Sequence, residues 1–332
     1  MIKAAIVGLG RWGQNLVECT QGKTEKIRFT AGVARTPHRA RGFAESHGIA
    51  LLGDYATALA DPDIDAVVLA TPHTQHAEQI IAAARAGKHV FTEKPFALTA
   101  ATAAAAATAC AEARRVLAVG FNWRFQPALQ EIRRMLADGR LGRLLHIEGN
   151  FNGPSVYRFP REHWRQQPEE GPGGGMTGRG VHVVDAMLYL AGRIDSVYAQ
   201  SYRLALDYGL DDTTSMLFTF GNGATGYLGT FIATAECWRL QVFGSKGWAK
   251  VGSIPHLHTW SLTTCMVNAQ PVVIDYPQQS TERAELEAFA DAIERGVPYA
   301  CPPSDAVHGV AVLDAIMRSA RSGDRTAVDG KR

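Results

Sequence analysis

Lys3-Ala4-Ala5-Ile6-Val7-Gly8-Leu9-Gly10-Arg11-Trp12-Gly13 runs from a short apolar stretch through three spaced glycines into a helical pattern that reaches Cys19. The glycines fit G-x-G-x-x-G. Gly8 permits the tight turn, Gly10 lets backbone approach a pyrophosphate, and Gly13 lets helix and strand pack closely. Arg11 and Trp12 open the helix, whose N-terminus turns N–H groups and the positive end of its dipole toward phosphate. The motif alone is weak. Placed between a first strand and a first helix, it reads as a dinucleotide cradle.

Outward from that turn, apolar runs at 28–34, 66–70, 89–91 and 116–121 alternate with helical patterns around 40–44, 76–86 and 99–113. Continuous apolar strands are buried on both faces, as happens when helices cover a parallel sheet. Repeated βα units therefore predict a doubly wound α/β sheet, a Rossmann domain over 1–122. The alanine-rich stretch 100–113 is a plain helix, because alanine is the strongest helix former. From 123 to 332 the pattern changes to strands at 144–152, 196–204, 213–220, 225–232, 240–243 and 249–251. Helical patterns lie at 127–138, 181–191, 281–295 and 304–322. Gly221-Asn222-Gly223 between two alternating runs marks a hairpin, so this second, α+β domain should hold a largely antiparallel sheet.

Composition narrows the function. The chain has 332 residues, 46% hydrophobic and 20% charged, with a net charge of +2. That length suits two domains, and the balanced charge lacks the concentrated basic surface of a nucleic-acid binder. No apolar run reaches the ~18 residues of a membrane span, and a strand starting at residue 3 leaves no room for a signal peptide. Cys19, Cys110, Cys237, Cys265 and Cys301 are odd in number and scattered, and read as reduced thiols of a cytoplasmic protein. His256-Leu257-His258 has no identifiable third or fourth ligand and reads as strand-edge histidines, so no metal is expected.

The residue ending the second strand reads the adenosine ribose. A carboxylate there, about 20 residues beyond the glycines, accepts from the 2′-hydroxyl of NAD. Here Arg35 and Thr36 hold that place, with Arg39 a turn further on. A guanidinium fork and a hydroxyl suit a 2′-phosphate, and no acid stands there to repel it. The expected cofactor is NADP, with NAD as the alternative.

Three later features carry a resemblance. Ala70-Thr71-Pro72 with His76 follows the third apolar run. Gly87-Lys88-His89-Val90 leads to Glu93-Lys94-Pro95. Gly173-Gly174-Gly175 leads to Gly180-x-His182-x-x-Asp185, and Ser319-Ala320-Arg321-Ser322-Gly323 closes the pattern. In motif order over essentially its whole length, the chain resembles the glucose–fructose oxidoreductase / inositol dehydrogenase (Gfo/Idh/MocA) family. The resemblance implies a Rossmann domain followed by a substrate-binding and oligomerisation domain with a large open sheet, and a homodimer or homotetramer. It implies hydride transfer between nicotinamide C4 and a carbon bearing hydroxyl or carbonyl. It also implies that Thr71, Pro72, His76, Glu93, Lys94 and Pro95 lie at the cofactor, with a cis peptide before Pro95.

Lys94 lies just past a strand's C-terminal end, where open α/β sheets bind ligands. An ammonium there stabilises charge growing on a carbonyl oxygen and donates the proton; with its pKa lowered by desolvation and the oxidised ring's charge, it acts as a base. Glu93 helps to place the lysine or the nicotinamide. His182, near a helix start, is the second proton carrier, and Asp185 is placed to orient its ring. Many sugar- and cyclitol-oxidising relatives carry an aspartate four residues before this histidine. Here that position is Gly178, so the full catalytic set does not transfer.

Trp123, Arg124, Trp164 and Arg165, together with Tyr157, Arg158, His163 and Trp238, are the expected substrate contacts. Arginines would clamp a carboxylate or phosphate, and tryptophans would stack on a ring. The leading reading is an NADP-preferring oxidoreductase of a sugar, cyclitol or related hydroxyl or ketone compound. The runner-up is dehydrogenation of an acidic aromatic dihydrodiol. A cofactor-bound sensor without turnover is a third reading, kept open by Gly178.

Overall fold

The computed structural model describes residues 1–253 and 261–328, so His256-Leu257-His258 lies outside the described residues. The chain forms two compact units. The first holds a six-stranded parallel sheet of β1 (Ile2–Val7), β2 (Ile27–Val33), β3 (Ala50–Leu52), β4 (Ala66–Leu69), β5 (His89–Glu93) and β6 (Leu117–Gly120). Their order is β3-β2-β1-β4-β5-β6, so the topology reverses beside β1, where the glycine turn leaves the sheet. Helices α1 (Arg11–Thr20), α2 (Pro37–Ser46), α3 (Tyr55–Ala60), α4 (His76–Arg85) and α5 (Ala100–Glu112) connect the strands. Every residue of β4 and β6 is buried, as their unbroken apolar sequence requires. β3 is the apolar run Ala50-Leu51-Leu52, only three residues long and never fully buried, and it was not among the predicted strands.

This first unit takes in Met1–Asn122 and also Ser280–Val307, which a sequential division at 122/123 assigns to the second. The returning segment is α8 (Thr281–Arg295), opened by Ser280 Oγ accepting from the Arg283 amide and closed by left-handed Gly296. Leu286, Phe289 and Ala290 are wholly buried, with the Phe289 ring set edge-on to Phe91 of β5. Full burial of a leucine or phenylalanine contributes about 1.5–3 kcal/mol. Of the rim pairs, Met1–Glu294 is exposed and contributes about 0–1 kcal/mol, and Lys26–Asp291 is half-buried at the solvent edge. Apolar contact is therefore what seats α8.

The second unit, Trp123–Gln279 and His308–Arg332, contains α6 (Pro127–Ala137), β7 (Leu144–Asn152), α7 (Val181–Ala191) and the strands that follow. These are β8 (Ile194–Tyr202), β9 (Thr213–Phe220), β10 (Thr225–Phe231), β11 (Cys237–Gly244), β12 (Gly247–Ser253), β13 (Ser261–Met266) and β14 (Val272–Asp275). Helix α9 (Pro303–Ser322) and β15 (Thr326–Ala327) close the chain. The nine-stranded sheet runs β14-β13-β12-β11-β7-β10-β9-β8-β15, antiparallel except where β7 pairs with β10. The expected hairpin joins β9 to β10, with Gly223 at φ 86°. β14 was not among the predicted strands: its β-branched run Val272-Val273-Ile274 is short, does not alternate, and is exposed at all four positions.

One face of this sheet is core: Ile147, Met216, Phe218, Leu228, Leu240, Val242, Ala249 and Val251 pack with α7, which is buried from Val181 to Leu188. The other face carries Tyr198, Leu217 and Tyr227, aligned by register across β8, β9 and β10, with Leu217 55% exposed. No helix among the described residues is long and apolar enough to cross a membrane.

Candidate active site

In the first unit the glycine turn has the geometry that its sequence requires. Gly8 sits at φ 100°, and a Cβ on Gly13 would overlap the Gly8 carbonyl. Gly10 is different: nothing lies within 4 Å of where its Cβ would stand. Within the protein alone an alanine would fit at Gly10, so its bareness matters only toward a ligand, the close approach that a pyrophosphate needs. Arg11 and Gly10 are exposed and Trp12 is half-buried at the start of α1. Arg35 and Arg39 are exposed, and Thr36 stands at the N-cap position of α2, ahead of Pro37, without a side-chain cap hydrogen bond. The glycine turn thus fits the pyrophosphate of a nicotinamide dinucleotide.

The turn after β4 and the turn after β5 are tied together by His76. Its Nδ1 lies 2.8 Å from the Pro95 carbonyl and its Nε2 lies 3.1 Å from the Thr71 carbonyl. The ring is wholly buried, so His76 holds these two turns from beneath, where the sequence had set it at the cofactor surface. Thr71 and Pro72 are half-buried beside it, and Thr71 Oγ1 donates to Gln79. The Lys94–Pro95 peptide is cis.

Lys94 follows the last residue of β5 and is half-buried. Glu93 is 5% exposed, and its Oε2 accepts the Lys94 backbone amide at 3.2 Å. Burial pushes the Glu93 carboxyl up to about 7, against the opposing pull of the Lys94 charge. β6 makes room for that carboxyl through Gly120, whose Cβ would stand 3.0 Å from Glu93 Oε1. Asn122, just beyond β6, donates to Thr281 Oγ1 and Glu282 Oε1 of α8. Sequence reasoning missed Asn122, Thr281, Glu282 and Glu285. The available signal was Glu285 itself, a carboxylate on the same helical stripe as Phe289.

In the second unit a π-helical turn, Met176–Gly180, feeds directly into α7 and presents His182. Such turns recur at functional sites. The His182 ring stacks on Trp123 with centroids 5.3 Å apart, and Trp123 in turn touches Phe151 and Trp238. Trp123 and Trp238 are 0% and 1% exposed. The expectation that they stack on substrate is therefore corrected: they form the platform behind His182. Arg124 is corrected too. Its guanidinium grips the Asp185 carboxylate rather than facing a substrate anion.

Trp164 and Arg165 are half-buried, the guanidinium 4.5 Å above the indole, beside His163 and Phe159. Tyr157 and Arg158 are exposed. A residue that the sequence reading left unassigned joins them. Arg179 lies over the Phe151 ring at 4.7 Å, donates to the Asn152 carbonyl and stands 3.8 Å from Glu236, which Arg158 also approaches at 3.6 Å. Two guanidinium groups facing one carboxylate give this corner an excess positive charge. Gly178 has open space about it, with nothing within 4 Å of its Cβ position. Among the described residues no group of three or more His, Cys, Asp or Glu is arranged for a metal.

Comparison with known proteins agrees with the two-part fold. Residues 2–121 match the oxidoreductase family with an NAD-binding Rossmann fold, GFO/IDH/MocA, and residues 129–250 match the GFO/IDH/MocA C-terminal domain. The chain is 28% identical to scyllo-inositol 2-dehydrogenase (NAD(+)) of Bacillus subtilis over 100% of this chain and 97% of the relative. It is also 28% identical to D-xylose 1-dehydrogenase (NADP(+)) 2 of Haloferax volcanii, over 89% and 90%. Among solved structures, aldose-aldose oxidoreductase from Caulobacter crescentus, complexed with glycerol, superimposes with a TM-score of 0.90 at 26% identity, covering 98% and 99% of the two chains.

Proposed function

The chain belongs to the GFO/IDH/MocA family of NAD-binding oxidoreductases, and from that premise we propose that it is an NADP-preferring dehydrogenase of a sugar, cyclitol or related compound. The observation that carries the reading is Lys94: a half-buried amine at the C-terminal end of β5, backed by the buried carboxyl of Glu93. When bound, the nicotinamide supplies the redox chemistry, taking a hydride from the substrate carbon or returning one to it.

The chain's own residues move the proton. Lys94 Nζ accepts the hydroxyl proton as alcohol becomes carbonyl and returns it in the reverse direction. In reduction its ammonium also stabilises the charge growing on the carbonyl oxygen. His182 is a second proton carrier, its ring held flat by Trp123. Gly8, Gly10 and Gly13 shape the pyrophosphate turn, and Arg35 with Thr36 receives the 2′-phosphate. The relatives' names include both nucleotides, so Arg35 and the lack of an acid beside it carry the preference.

The Arg158–Arg179 corner favours a second reading, in which the substrate is anionic, an acidic dihydrodiol among them. Pairing of copies through the Tyr198–Leu217–Tyr227 face gives the oligomer, since monomers rarely expose a contiguous apolar patch. Sedimentation of Leu217→Glu should then show a smaller species than the unaltered chain. The functional test is a turnover screen with NADP and NAD against sugars, inositols, sugar acids, dihydrodiols and their ketones. Turnover of a sugar or cyclitol with NADP supports the leading reading, activity confined to acids supports the second, and no turnover across the panel refutes both.

A further inference from the structure

Two largely buried guanidinium groups of the second unit are used differently. Arg124 closes on Asp185 through hydrogen bonds of 2.7 to 3.1 Å. Arg179, with 11% of its side chain exposed, stands 3.8 Å from Glu236, and Arg158 stands 3.6 Å from the same carboxylate. A charge-assisted hydrogen bond lies at about 2.7–2.9 Å, so neither arginine is closed on this acid. Nη1 of Arg179 donates to the Asn152 carbonyl at 2.9 Å, whereas Nε and Nη2 have no hydrogen-bond partner among the described residues. A guanidinium withdrawn from water is costly unless its donors are used.

The chain is shaped around this head group. The Arg179 guanidinium lies 4.7 Å above the Phe151 ring, and a Cβ on Gly153 would stand 2.7 Å from Nη1 and 2.9 Å from Nη2. Any side chain at 153 would push the fork aside. Gly178, just before Arg179, has nothing within 4 Å of its Cβ position, so open space adjoins the arginine. The His182 ring lies 6.2 Å from the same Phe151 ring. An anion on the fork and a hydroxyl at the imidazole are therefore within the span of one small molecule. The charged groups bearing on Arg179 are Glu236 and Arg158, which leaves a surplus of one positive charge. A carboxylate carries one negative charge and matches the planar fork, whereas a phosphate monoester carries about −1.5 to −2.

We propose that Arg179, assisted by Arg158, is the specificity-determining residue of this enzyme: its open fork receives the carboxylate of a sugar acid, a uronate or an aldonate, whose hydroxyl lies at His182. Glu236 is the resident counter-charge. It neutralises one of the two guanidinium groups and so tunes the corner to a monoanion. The substrate carboxylate takes up Nε and Nη2, while the Asn152 carbonyl and the Phe151 ring keep the fork in place. The inference rests on the dehydrogenase reading and fixes its substrate class.

The test uses the full chain with D-glucuronate, D-galacturonate and D-gluconate, each beside its uncharged sugar or polyol, and with glucose 6-phosphate. At least one acid should exceed its uncharged counterpart by about tenfold or more in kcat/KM, chiefly through KM. Arg179→Met, which keeps a stem over Phe151, should shrink that preference by about tenfold to hundredfold, again through KM, and Arg179→Lys should restore part of it. Gly153→Ala displaces the fork without removing it and should act in the same direction, which keeps the test open should Arg179→Met not fold. Glu236→Gln raises the surplus to two charges and should move the preference toward glucose 6-phosphate. A thermal shift given by the acid and lost in Arg179→Met reads binding without turnover. Turnover with no preference for acids, or a preference that survives Arg179→Met, would overturn the proposal and leave the dehydrogenase reading. That thermal shift without turnover of any compound would overturn the dehydrogenase reading and leave the carboxylate subsite.

Discussion

Arg124 and Asp185 form a buried ion pair, Nε donating to Oδ2 at 3.0 Å and Nη2 to Oδ1 at 2.7 Å, with 2% and 3% of the side chains exposed. It joins the turn that begins the second unit to α7, one helical turn beyond His182. Removing one partner of such a pair leaves an uncompensated charge in the interior. Arg124→Ala should therefore destabilise the second unit by about 3–5 kcal/mol, whereas Arg124→Met with Asp185→Leu should cost much less. Denaturant unfolding followed by tryptophan fluorescence separates the two outcomes; equal losses would contradict the pairing argument.

Cofactor choice follows from the end of β2. Arg35 is exposed and able to turn its fork onto a 2′-phosphate. Arg35→Asp should weaken NADP binding by about tenfold or more, roughly 1.4 kcal/mol, and leave NAD within a few-fold. Fluorescence titration with both reduced nucleotides measures this, and equal losses would remove the phosphate-clamp reading.

Stability should depend on pH through Glu93 and Glu285. Both carboxyls are raised in the folded chain, chiefly by burial, Glu93 up to about 7. The folded state thus binds more protons than the unfolded one between the ordinary carboxylate value and that raised value. Their contribution is complete at low pH and is lost as pH rises through neutrality. His89 and His163, lowered by burial, act in the opposite sense, so the informative quantity is a difference. From pH 5 to pH 8 the unaltered chain should lose thermal stability relative to Glu285→Gln; parallel curves would contradict this.

The fold was legible where burial leaves a sequence signature. β4 and β6 are buried throughout and read as continuous apolar runs set among βα repeats, while β3 (Ala50-Leu51-Leu52) and β14 (Val272-Val273-Ile274-Asp275) are apolar but short and lack that burial. The return of α8 to the first unit was not legible, because an amphipathic stripe reveals which face is buried and not which sheet covers it. At the candidate site, spacing singled out Gly8, Gly10, Gly13, Lys94 and His182, and the glycine turn has the geometry its sequence requires. Residue chemistry misdirected Trp123 and Arg124, since aromatic and guanidinium groups serve a core platform or an internal ion pair as well as a ligand. Arg179 and Glu285 owe their interest to what surrounds them, which only three dimensions supply.

The account stands on the amine of Lys94. The direct measurement is turnover by Lys94→Ala with the best substrate and cofactor, alongside its nucleotide affinity. Loss of about two to four orders of magnitude in kcat, with nucleotide binding unchanged, is the predicted result. A Lys94→Ala enzyme that turns over within a few-fold of the unaltered chain would contradict it.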